Sequence, residues 1–147
     1  MINKESVTTG LWWWLTQGLV ASLLAAASWG VLAQTNPVTH GVQSSIERGV
    51  TVKVTPKSLG APDSPWEFAV VLDTHSADLS DDLANSATLT TDDGRTFKPT
   101  NWQGSPPGGH HREGVLVFDG PTPRPGAIEL RIYRPGETVP RTFRWQL

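Results

Sequence analysis

Val50, Val52 and Val54 alternate with Thr51, Lys53 and Thr55, and a period of two recurs from there towards the C-terminus. A helix cannot hold alternate residues on one side, whereas a strand does so because successive side chains leave opposite faces of the pleat. Pro56 is expected to close this first strand. Trp66, Phe68, Val70 and Leu72 line one face of a second. Ala87 to Thr91 and Arg95 to Lys98 flank Asp92-Asp93-Gly94, and an Asp-Gly pair supplies the positive φ angles of a tight hairpin. Val115 to Phe118 is apolar on both faces, which predicts a central strand, and Ile128 to Tyr133 and Thr142 to Leu147 complete the set. The 12 prolines and 14 glycines punctuate these runs and leave no room for a long helix. A single helical turn fits within Ser76 to Ser86, capped by Ser76 or Asp78.

About seven short strands with turn signals between them predict an all-β domain, an immunoglobulin-like antiparallel β-sandwich over residues 49–147. The chain has no cysteine, so a packed core rather than disulfides must hold it. Trp66, Trp102 and Trp145 are read as core or core-edge residues in preference to a sugar-stacking platform.

The first quarter of the chain has a different character. Leu11 to Ala33 carries no charge and follows a short polar start containing Lys4 and Glu5. Val31 and Ala33 suit a signal-peptidase site, which would start the mature chain at Gln34. The stretch is also long enough to anchor, since about 20 apolar residues cross a bilayer, and Trp12, Trp13 and Trp14 suit a headgroup interface. Either way the remainder lies outside the cytoplasm, periplasmic or extracellular. Residues 34–48 are polar and unpatterned and read as a flexible tether. The net charge of −2 gives no reason to expect nucleic acid, and contact with a membrane is expected only through the N-terminal segment. From Leu59 to Asp93 every charged residue is acidic, whereas the tail from Arg124 is rich in arginine; these read as opposite faces of one solvated domain.

Strand direction then locates the chemistry. If successive strands run antiparallel, the end of the Trp66–Asp73 strand and the start of the Val115 strand share a pole. That pole collects the loops 73–86 and 100–111 and with them His75, His110 and His111. The segments "VVLDTHSADL" and "PPGGHHREGVLVF" resemble those of small exported bacterial domains with LDTHS- and GGHHR-type segments. The resemblance runs from about Gly49 to the C-terminus. It implies a β-sandwich outside the cytoplasm and carries neither an activity nor an established ligand.

Two kinds of function fit such a pole. In the first, the domain is a non-catalytic docking module that presents the two loops to an exported or membrane protein. Arg112 would staple the loops by pairing with Asp73 or Asp78, and a histidine after Gly-Gly would bond loop carbonyls. In the second, His75 with His110 or His111, joined by Asp73, Asp78 or Glu113, binds a transition metal such as Zn or Cu. Adjacent strand residues point to opposite faces, so both histidines of the pair reach one ion only if Gly108 and Gly109 bend the chain first. A blue-copper centre is excluded because it needs a cysteine. Catalysis has no support: there is no nucleophile elbow or metalloprotease helix, and Asp81–Asp82 and Asp92–Asp93 read as turn residues. The four aspartates of "DTHSADLSDD" lack the glycine and terminal glutamate of a calcium-binding loop.

Overall fold

Val52, Val54, Phe68, Val70 and Leu72 are wholly buried while their alternate neighbours are half-buried or exposed, so the period of two does sort side chains between a core and a surface. The computed structural model describes residues 40–60 and 64–147, which belong to one compact unit. Among them are nine strands: β1 (Gln43–Glu47), β2 (Val50–Ser58), β3 (Trp66–Thr74), β4 (Ala87–Thr91), β5 (Thr96–Phe97), β6 (Asn101–Gly104), β7 (His111–Phe118), β8 (Ala127–Ile132) and β9 (Arg141–Gln146). A single-turn helix, α1 (Leu83–Ser86), precedes β4. The leader at 11–33 and the start at Gln34 lie outside the described residues. No helix among the described residues is long and apolar enough to cross a membrane.

The domain is all-β, with two antiparallel sheets ordered β1-β2-β3-β7-β6 and β5-β4-β8-β9. The sheets face each other across one core. Phe68 of β3 packs edge-on against Phe118 of β7 at 5.7 Å between ring centres and reaches across to Trp145 of β9 at 5.6 Å. Trp66 and Trp145 are buried, in the structural role expected of them, and Trp102 is half-buried at the core margin. β7 lies between β3 and β6, the interior position that its apolar residues predict.

The strand count exceeds the expected seven because two strands lack a readable apolar pattern. β1 falls inside the stretch expected to be a tether. It is a strand because it covers open edges: it pairs with β2, and the Gln43 side-chain amide acts towards β9 as one more strand residue. The Arg144 amide donates to Gln43 Oε1 at 3.1 Å and Gln43 Nε2 donates back to the Arg144 carbonyl. Trp145 Nε1 donates to the Gly41 carbonyl at 2.9 Å, fixing the start of β1. Unpaired edges invite further strand pairing, and this cover removes part of one. β6 is the other addition, an edge strand beside β7 that is exposed except at the half-buried Trp102.

β2 does not stop at Pro56. It continues to Ser58 through an irregularity in register between Pro56 and Ser58. β1 pairs only as far as Val54, so beyond that point β2 has an open side on which a proline's missing N–H is tolerated.

Phe68→Ala removes the ring that joins the sheets and should cost about 3–5 kcal/mol in urea melts, whereas Lys57→Ala, at an exposed site, should change stability by less than about 0.5 kcal/mol.

Candidate functional site

Thr74 closes β3 and turns the chain. Its buried hydroxyl donates to the Gly49 carbonyl at 2.9 Å and accepts the Ser76 and Ala77 amides, each at 3.3 Å. β3 and β7 pair so that Asp73 stands opposite His111, which brings loop 73–86 and the 105–110 connection to the same end of the sandwich; the earlier part of the expected loop 100–111 is strand β6, whose Asn101 pairs with Val117 towards the opposite end. There the loops bond to each other. The Thr74 amide donates to the His110 carbonyl at 2.9 Å, the Leu79 amide to the Gly109 carbonyl at 3.0 Å and the Gly108 amide to the Leu79 carbonyl at 2.8 Å. Asp78 Oδ1 accepts the Gly109 amide at 2.8 Å. Gly108 and Gly109 adopt φ values of 117° and 78°, a path that side-chain-bearing residues take only under strain. The helical turn is capped by Asp82, through the Asn85 amide, rather than by Ser76 or Asp78.

Arg112 lies beneath the two loops with 1% of its surface exposed. Its guanidinium donates to the carbonyls of Leu79 at 3.0 Å, Asp81 at 2.6 Å and Ser105 at 3.1 Å, so one side chain holds both loops. This corrects the expected pairing with Asp73 or Asp78: the acceptors are main-chain oxygens, because Arg112 points inward while Asp73 lies on the outer face. Burial pushes the guanidinium below its ordinary pKa, and the negative charges of Asp81, Asp78 and Asp82 oppose that shift. The Trp102 ring centre is 5.9 Å from the guanidinium carbon, and the indole N–H donates to the Ser105 carbonyl at 3.0 Å. The indole fits because Gly104 and Gly114 oppose each other across β6 and β7. A Cβ on Gly114 would come within 2.7 Å of the indole and 2.5 Å of the Gly104 Cα.

A chain of buried charges continues across the pole. Arg134 grips the wholly buried Asp81 through two hydrogen bonds, at 2.7 and 3.0 Å, and contacts Glu137 at 3.1 Å. Glu137 in turn receives two bonds from Arg141, both 2.7 Å. Arg141 also donates to the carbonyls of Ser45, Glu47 and Val50, which ties the β1–β2 turn to the rest. The hydrogen bonds from Arg141 hold the Glu137 carboxyl below the usual range, and Glu137 raises Arg141 in return.

On the outer face, Asp73, His111 and Glu113 come together. His111 Nδ1 is 2.5 Å from Asp73 Oδ1, and Nε2 is 3.7 Å from Glu113 Oε2. The hydrogen bond to Asp73, helped by the charges of Asp73 and Glu113, raises the His111 pKa above its ordinary value. Asp78 is engaged with Gly109, and the exposed His75 and His110 stand outside the carboxylate–imidazole contact. Among the described residues, no group of three or more His, Asp and Glu side chains is placed to hold a metal ion.

Sequence reasoning missed the buried charges, taking Asp81 for a turn residue and the C-terminal arginines for solvated surface. A signal was present. Arg134 extends the inward row Ile128, Leu130, Ile132; Arg141 begins the row Phe143, Trp145; Arg112 shares that parity with Leu116 and Phe118. No family model matches the chain, and no curated protein and no solved structure matches it.

Neutralising Asp81 leaves Arg134 and Arg141 to share the single charge of Glu137, so Asp81→Asn should cost about 3–5 kcal/mol in urea melts, while Asp119→Asn, exposed at the opposite pole, should be nearly neutral. His111 has a second, reversible readout. A raised folded-state pKa adds stability that is fully present below the unfolded value of about 6.5 and is lost as pH rises through the folded value. NMR titration should therefore place the His111 midpoint above about 6.5, with Asp73→Asn lowering it; a wild-type midpoint at or below that value would contradict the contact.

Proposed function

We propose that this domain is a non-catalytic docking module of an exported protein, presenting loop 73–86 and, of the expected loop 100–111, the 105–110 connection to an exported or membrane-protein partner. The observation that carries the reading is the locking of the two loops into one surface by their mutual main-chain bonds and by Arg112. Ordering loops at the moment of binding costs conformational entropy, and a surface already ordered avoids that cost. His75, Ser80, Asp82, Pro106, Pro107 and His110 are exposed on these loops, where a partner can reach them.

The strand order supports an immunoglobulin-like assignment. β2-β3-β7-β6 and β5-β4-β8-β9 correspond to A-B-E-D and to C-F-G with an added edge strand, and β1 is a further strand ahead of them. The β3–β4 connection then takes the place of the B–C loop, which serves recognition in antibody variable domains, and the β6–β7 connection takes the place of the D–E loop beside it. Export rests on Leu11 to Ala33, with the mature chain beginning at Gln34 or the segment kept as an anchor, and the resemblance to exported domains points the same way.

Photo-crosslinking in cells that produce the full chain tests the docking surface. A reactive residue at Ser80 or Pro107 should give a discrete adduct with a second protein, and one at Lys57, at the far end of β2, should not. Adducts independent of position, or none from the pole, would overturn the reading.

A further inference from the structure

We infer that the outer face of the β3–β7 pair carries an open two-donor site for a divalent transition-metal ion, with His111 Nε2 and the Glu113 carboxylate as ligands and Asp73 as the residue that orients the imidazole. His111 and Glu113 are alternate residues of β7 and so project from the same face. Their Nε2 and Oε2 atoms are 3.7 Å apart. Metal–nitrogen and metal–oxygen bonds of about 2.0–2.2 Å require roughly 3.4 Å between the donors at a tetrahedral angle and roughly 3 Å at the right angle of a tetragonal Cu(II) site, so a rotation that moves the Glu113 carboxylate by about 0.3 to 0.7 Å closes the site. Glu113 is free to make that rotation, being 70% exposed.

Asp73 supplies what an exposed pair of donors otherwise lacks. A metal-binding histidine commonly donates its other ring N–H to a carboxylate, which fixes the tautomer and aims the lone pair. With Nδ1 donating to Asp73 Oδ1 at 2.5 Å, the neutral imidazole has its lone pair on Nε2, the nitrogen nearer Glu113. Asp73 is held by β3 opposite His111, so the strand register, rather than a loop, sets this orientation. The negative charges of Asp73 and Glu113 favour a positive ion beside the ring, and a proton and a metal ion compete for that place.

The proposal narrows the donor set suggested by the three histidines. Asp78 is engaged with the Gly109 amide. His110 precedes β7 and its carbonyl is held by the Thr74 amide, while its alternate neighbour Arg112 faces inward. Two protein donors leave the remaining coordination positions to water or to a donor brought by another molecule. Mixed imidazole and carboxylate donors suit borderline ions, and among the first-row divalent ions Cu(II) binds such donors most tightly.

Cu(II) is therefore the probe. Added in increments to the 15N-labelled full chain, it should broaden the amide signals of Asp73, His111 and Glu113 before those of Val54 or Phe97, in a saturable manner. His111→Ala should abolish the local broadening, and Glu113→Gln should weaken binding at least 10-fold. Asp73→Asn should weaken it about 10-fold, the lower end of the effect of removing an orienting carboxylate, with Asp73→Glu recovering part of the loss. His75→Ala and His110→Ala should bind as the parent does. Urea melts of each variant report whether it is folded. Broadening that is absent or not localised, or a folded Glu113→Gln variant that binds like the parent, would overturn the proposal, as would a loss in His75→Ala equal to that in His111→Ala.

Discussion

A guanidinium kept out of water must find acceptors inside the protein, and Arg112 finds them on two different loops. Its bonds to Leu79, Asp81 and Ser105 make the path of loop 73–86 depend on the path of the 105–110 connection. Nε of this guanidinium is buried without a partner, and losing one of the three acceptors would leave a further donor unsatisfied, at a cost of about 1–3 kcal/mol or more for a charged group. The arrangement also needs Trp102 over the guanidinium, and the indole can lie there only because Gly104 and Gly114 carry no side chain. A strand register, two glycines, a tryptophan and an arginine thus form one device.

The same logic extends across the pole through Asp81, Arg134, Glu137 and Arg141. Each charge is matched by an opposite charge or by carbonyls, and the chain of contacts runs from the β3–β4 loop through the β8–β9 connection to the β1–β2 turn. Buried ion pairs add little net stability compared with well-packed apolar groups, but misplacing one partner leaves an uncompensated buried charge. The network therefore penalises alternative loop positions more than it stabilises the fold as a whole. Bulk stability rests on the apolar rows of both sheets, with Phe68, Phe118 and Trp145 in contact between them.

Strands with one buried face were legible in the sequence. β2, β3, β8 and β9 follow from the alternation of apolar residues, β7 from a run apolar on both faces, and the β4–β5 hairpin from the Asp-Gly turn, although Gly94 alone, and not Asp93, takes a positive φ. β1 was not legible: "QSSIE" buries no residue fully, and its role is to pair with β2 and to present Gln43 to the β9 edge. β6 escaped notice because two of its four residues are glycine or glutamine and its tryptophan reads as ordinary core. The convergence of the loops was legible from antiparallel order, as was the glycine bend before His111. The content of the pole was not, since arginine and aspartate ordinarily mark solvent. Only their parity with the inward rows of β7, β8 and β9 betrays their burial, and parity past the end of an apolar run has meaning only once the register is known.

Native-state hydrogen exchange at the amides of Leu79 and Gly108 tests the locked pole most directly. Both amides cross between the loops, to Gly109 and Leu79 respectively, above the Arg112 guanidinium. If the loops form one ordered surface, these amides open only with a large part of the domain, and their protection should lie within about 10-fold of that of Leu72 in β3. Exchange near the rate of an unstructured peptide, with Leu72 still protected, would contradict the ordered surface.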